Sequence, residues 1–84
     1  MISPRMTEAT NVVYWLLDIC GLVPPCRLRP QYGNPLASLD ADLGMTQDKL
    51  SDLACQLRDR LMIAIKHDAV QRCATVGDVA RLLP

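Results

Sequence analysis

Thr46-Gln47-Asp48-Lys49-Leu50-Ser51-Asp52-Leu53-Ala54-Cys55-Gln56-Leu57-Arg58-Asp59-Arg60-Leu61 is the stretch whose reading decides the fold. Leu50, Leu53, Ala54, Leu57 and Leu61 recur at the helical period and mark one apolar face. Thr46 is a suitable N-cap, and Asp48 places a carboxylate in the first turn, where the helix dipole favours it. Lys49, Asp52, Gln56, Arg58, Asp59 and Arg60 fall on the opposite face, which is expected to be solvated or open to a partner.

On the N-terminal side, residues 1–6 carry a proline and no periodicity, so they read as a loose terminus. A first helix is expected just after Thr7 as N-cap, with Glu8 in its first turn. Val12, Val13, Leu16, Leu17, Ile19 and Cys20 form its apolar stripe, Gly21 stops it and Pro24-Pro25 prevents continuation. From Leu22 to Gly44 the chain holds four of its six prolines. This segment predicts a long connection without regular structure, anchored by Leu28, Tyr32, Leu36 and Leu39 and tied down over Leu36 to Leu43. Trp15 is expected to pack in the core or at its edge.

On the C-terminal side, Met62, Ile63 and Ile65 form a short apolar run, and Asp68 to Arg72 can make a turn or two of a third helix. Thr75-Val76-Gly77-Asp78 announces the last helix, because the threonine oxygen can accept from a backbone N–H while the carboxylate reaches back. Val76, Val79, Ala80, Leu82 and Leu83 supply its apolar side. The expectation is therefore all-α: a single domain over residues 1–84 built as a small four-helix bundle, with a long loop between helices one and two.

Composition narrows the function. A chain of 84 residues without phenylalanine makes its core from aliphatic, methionine and cysteine side chains, and at this size only about 60% of the unfolded surface is buried. The net charge of zero argues against nucleic-acid binding, and no basic recognition helix is present. Arg27, Arg29, Arg58, Arg60 and Arg72 are interspersed with Asp48, Asp52, Asp59 and Asp68, and read as solvated surface. The apolar stretch from Val12 to Val23 is broken by Asp18 and is too short for a membrane span, and no signal peptide is evident. The expected location is the cytoplasm.

Cys20, Cys26, Cys55 and Cys73 contain no C-x-x-C pair, so neither a metal site nor a disulfide framework is expected. Cys55 and Cys73 read as small buried hydrophobes. His67 and Asp68 are neighbours, but catalysis would need a nucleophile or metal beside them in a cleft. The expectation is no enzyme activity, with His67 at the surface.

Ala37-Ser38-Leu39-Asp40-Ala41-Asp42-Leu43-Gly44, followed by the capped helix, resembles the segment that leads into the second helix of acyl carrier proteins. Thr75-Val76-Gly77-Asp78-Val79 resembles the opening of that family's last helix and stands at the family's spacing from Asp42-Leu43-Gly44, without a gap. The resemblance covers residues 37–83 and reaches helix one by pattern, since the connecting loop is several residues longer here. It implies a bundle of acyl carrier protein type.

The family attaches 4′-phosphopantetheine to the serine of an Asp-Ser-Leu motif, and at the corresponding positions this chain reads Thr46-Gln47-Asp48. Gln47 therefore stands in the serine's place, and an amide cannot act as the hydroxyl nucleophile. The resemblance then implies a module without a prosthetic group or other cofactor. It would dock on a partner protein, such as a biosynthetic enzyme of a lipid or secondary-metabolite pathway, through helix two and the proline-rich loop, with Thr46, Gln47, Lys49, Arg58 and Arg60 at the contact. The alternative is a working acyl or peptidyl carrier of a specialised biosynthetic pathway, modified at an unexpected hydroxyl. Thr46 is branched, one residue out of register and better read as the N-cap, and neither Ser51, a turn further on, nor Ser38, in the preceding loop, is a credible substitute. Lys49, Arg58 and Arg60 also break the acidic second helix usual in the family.

Overall fold

In the computed structural model, residues 4–83 are described, and they contain five helices and no strand. Residues 1–3 of the expected loose terminus and Pro84 lie outside the described residues. The central helix is the one expected from residues 46–61. Thr46 is extended and its Oγ1 accepts from the Lys49 N–H, ahead of the helix Gln47–Leu61, and Leu50, Leu53, Ala54 and Leu57 are buried. We number the helices in chain order: α1 Pro4–Ile19, α2 Pro25–Gln31, α3 Gln47–Leu61, α4 His67–Gln71 and α5 Val76–Ala80.

α1 begins three residues earlier than the expected cap, so Thr7 lies inside it. Pro4 suits a first helical position, where no N–H is needed and the ring presets φ. Its buried stripe is Thr10, Val13, Tyr14 and Leu17, with Leu16 beside it. This corrects the expected stripe, since Ile19 faces solvent; Trp15, expected in the core or at its edge, is 46% exposed and stands outside the apolar cluster. Tyr14 replaces them in the core because its polar end has a partner. The phenol donates to the Asn34 carbonyl at 2.6 Å, and the ring meets Tyr32 at a centroid distance of 5.1 Å.

The connection between α1 and α3 contains a helix that the prolines argued against. Pro25 sits at the start of α2, where proline is tolerated, and Pro30 falls in its last turn, so the ring displaces little backbone hydrogen bonding. Leu28 buries against the core, as expected of an anchor, and so does Leu39. Tyr32 is half exposed and Leu36 is 80% exposed, so neither holds the loop through burial. Asn34 holds it instead through hydrogen bonds, since its Oδ1 accepts from Leu36 N and its Nδ2 donates to Gln31 Oε1.

Residues 38–45 fold into a self-bonded turn. Asp42 Oδ2 accepts from Ser38 N at 2.7 Å, Ser38 Oγ accepts from Ala41 N, and the Met45 N–H donates to the Leu39 carbonyl. Leu39, Leu43 and Met45 are buried beneath it. Gly44, at φ +69°, turns the chain into α3. The turn is tied to the far end of the chain: Leu39 N donates to Ala74 O, Val76 N to Ala37 O and Gly77 N to Pro35 O, around an antiparallel bridge between Ser38 and Thr75.

α3 ends at Met62, a left-handed residue at φ 55°. α4 then packs antiparallel against α3, because Gln71 Nε2 reaches Ser51 Oγ at 2.8 Å while His67 lies opposite Cys55. α5 opens with a complete capping box: Thr75 Oγ1 accepts from Asp78 N, and Asp78 Oδ2 accepts from Thr75 N and Ala74 N. It is shorter than expected. Leu82 lies beyond it and is partly exposed, while Leu83 packs against the core. α5 packs chiefly on α1, which also touches α2 and α3, and one continuous apolar cluster joins all five helices.

Candidate docking site on α3

Thr46, Gln47, Lys49, Arg58 and Arg60 are all exposed. Gln47 is the first residue of α3, directly after the cap, and is exposed there. The five residues do not form one patch. Lys49 and Arg60 lie about three turns apart on one flank of α3, whereas Arg58 lies about half a turn round from Lys49, on the flank of Gln47. Gln56 joins the first flank, accepting from Arg60 Nε at 2.8 Å.

Between the flanks runs the outward ridge of Asp48, Asp52, Cys55 and Asp59, every one of them exposed. The basic side chains therefore border an acidic crest. This arrangement was hidden in the linear sequence, where acids and bases simply alternate, but it follows from the helical period once the buried face is known.

The three hydroxyls weighed near the Gln47 position have partners. Thr46 Oγ1 accepts from Lys49 N, Ser38 Oγ from Ala41 N, and Ser51 Oγ from Gln71 Nε2. Ser51 is half-buried and sits between α3 and α4 rather than at the helix start. Thr46 alone of the three is exposed. Near the same helix start lies Arg27, whose Nη1 would stand 3.3 Å from a Cβ built on Gly44. In the sequence Arg27 reads as ordinary surface, and no local pattern links it to Gly44.

The cysteines correct one expectation. Cys55 is exposed rather than buried, since it falls on the acidic crest. Cys73 is half-buried after α4, with its Sγ donating to the Ala69 carbonyl at 3.3 Å. Burial, and secondarily the charge of Asp78, pushes its thiol up from the ordinary value. Cys55 Sγ lies 3.6 Å from His67 Nε2. Asp68 does not orient that imidazole: its carboxylate faces Arg72 at 3.9 Å. Among the described residues, no group of three or more His, Cys, Asp or Glu is placed to hold a metal.

At the other end of α3, an open groove of about 320 Å³ runs between α1 and the tail, floored by Ala9, Val12, Leu61, Ile63 and Leu83 with Arg5 and Glu8 at its rim. Arg58 and Asp59 border a second open groove with Met62. Among the described residues, no helix is long and apolar enough to cross a membrane. The chain matches no protein-family model, no curated protein and no solved structure.

Proposed function

We propose that the chain is a non-enzymatic interaction module of acyl carrier type that lacks a prosthetic group and docks on a partner protein through α3. On this reading, α1, α3, α4 and α5 are the four helices of the carrier bundle, and α2 is an addition within its long connection. The partner is a biosynthetic enzyme of a lipid or secondary-metabolite pathway in the cytoplasm. Neither nucleic acid nor a cofactor is involved.

The observation that carries the reading is the exposed amide of Gln47 at the first position of α3, just after the capped Thr46 and the Gly44 turn. A nucleophilic hydroxyl would be needed there to take a phosphopantetheine arm from coenzyme A, and an amide nitrogen does not supply one. A partner suited to α3 presents basic groups to the Asp48, Asp52 and Asp59 crest and acidic groups to Lys49 and Arg60.

The test is intact-protein mass spectrometry after incubation with coenzyme A and a broadly acting phosphopantetheinyl transferase. The native chain is expected to gain no arm, whereas the triple variant T46D/Q47S/D48L is expected to gain one. Aspartate preserves the N-cap in that variant. A stoichiometric arm on the native chain restores the working carrier, modified at another hydroxyl. An unmodified triple variant that remains helical removes the carrier reading.

A further inference from the structure

We propose that Cys55 is a modification site, a nucleophilic thiol assisted by His67 as general base, whose co-reactant is a low-molecular-weight disulfide. The inference does not rest on the docking reading. The chain has one histidine, and the fold sets its Nε2 3.6 Å from Cys55 Sγ, across the seam between α3 and α4. One rung away along the same seam, Gln71 and Ser51 are bonded at 2.8 Å and hold the two helices in register. The thiol is exposed, so a reagent can approach it from solvent.

The other thiols differ in environment. Cys20 and Cys73 are half-buried, and Cys73 is engaged with the Ala69 carbonyl. Cys26 is exposed like Cys55, but the chain's single imidazole stands at Cys55, twenty-nine positions further along the sequence. In the tautomer with its proton on Nδ1, His67 offers the Nε2 lone pair to the thiol hydrogen.

The reaction is a thiol–disulfide exchange. His67 Nε2 takes the Cys55 proton as the sulfur attacks one sulfur of the disulfide. A Cys55 S–S bond forms, the original S–S bond breaks, and the departing thiolate recovers the proton from the imidazolium. Cys55 is thereby oxidised to a mixed disulfide, and half of the small disulfide is reduced to a free thiol. Asp52 and Asp59 fall within about a turn of Cys55 on α3, as does Arg58, while Asp68 and Lys66 adjoin His67 and the Asp68 carboxylate faces Arg72 at 3.9 Å. An uncharged reagent is therefore the appropriate probe.

The experiment treats the whole chain with 2-hydroxyethyl disulfide and follows the adduct on each cysteine by peptide mass spectrometry. In His67→Gln the rate at Cys55 is expected to fall about tenfold, a modest general-base effect, while that at Cys26 is unchanged. An unchanged ratio of the Cys55 and Cys26 rates overturns the proposal. Should the substitution loosen α4, Cys73 accelerates in the same run, and His67→Ala with added free imidazole decides the matter. Recovery of Cys55 relative to Cys26 supports His67 as the base; failure to recover overturns it.

Discussion

Two single residues carry strain or closeness that their side chains do not advertise. A Cβ on Gly77 would meet the Pro35 carbonyl oxygen at 2.8 Å, and the Gly77 N–H already donates to that oxygen. Backbone cannot swing aside as a side-chain tip can, so Gly77→Ala is expected to destabilise the fold by about 1–3 kcal/mol, read as a lower urea midpoint at unchanged slope. Met62 presents the reverse case. It holds a left-handed conformation at the end of α3 while 86% exposed, so its side chain gains little from burial. Met62→Gly is expected to stabilise by about 0.5–1 kcal/mol in the same titration. In the sequence Gly77 is only a spacer inside a capping box, because Pro35 is distant along the chain and nothing local announces its approach. The approach of Cys55 to His67 is hidden in the sequence for the same reason: neither belongs to a motif, and the turn after the left-handed Met62 brings them together.

Capping and periodicity are local, so α3 and α5 were legible from residues a few positions apart, and the caps at Thr46 and Thr75 form as expected, whereas Thr7, the third expected cap, lies inside α1. α2 was not legible, because proline reads as a breaker unless its position within the helix is known. Asp78 shows what a cap contributes. The backbone N–H groups of Ala74 and then Thr75 stabilise its carboxylate and hold its pKa below the ordinary 3.8. Its contribution is therefore present above that value and is lost as pH falls below it. Asp78→Asn is expected to cost about 1 kcal/mol at neutral pH and to make the melting temperature less sensitive to acid. The clasp between α1 and the segment after α2 responds at the opposite end of the scale. Burial, and then the charge of Asp42, pushes Tyr14 up from 10.0 to about 12. The unfolded chain loses this proton first, so Tyr14 contributes fully below pH 10.0 and that contribution is lost as pH rises towards about 12. Tyr14→Phe is expected to lower stability at neutral pH by about 1 kcal/mol and to flatten this alkaline decline in circular-dichroism melts.

For the molecule as a whole, the all-helical class followed from apolar spacing, whereas the way the ends meet required contacts that spacing does not encode. Residues 35–39 pair with residues 74–77 across the intervening α3 and α4. Those bonds can exist only when the two helices between them have packed, since closing so long a loop is opposed by chain entropy. The pairing also anchors the turn that delivers Gly44 and Thr46 to the start of α3, which couples the position of Gln47 to α5. The amides of Leu39, Val76 and Gly77 are therefore expected to exchange with solvent only through the global opening that exposes Leu53 and Leu57 in the middle of α3. Native-state hydrogen exchange across a low-denaturant series measures this directly, because amides that share one opening converge on one free energy and one denaturant slope. Exchange at Leu39, Val76 and Gly77 with a smaller slope would show instead that the tie opens by itself, leaving the start of α3 free to move while the helices stay packed.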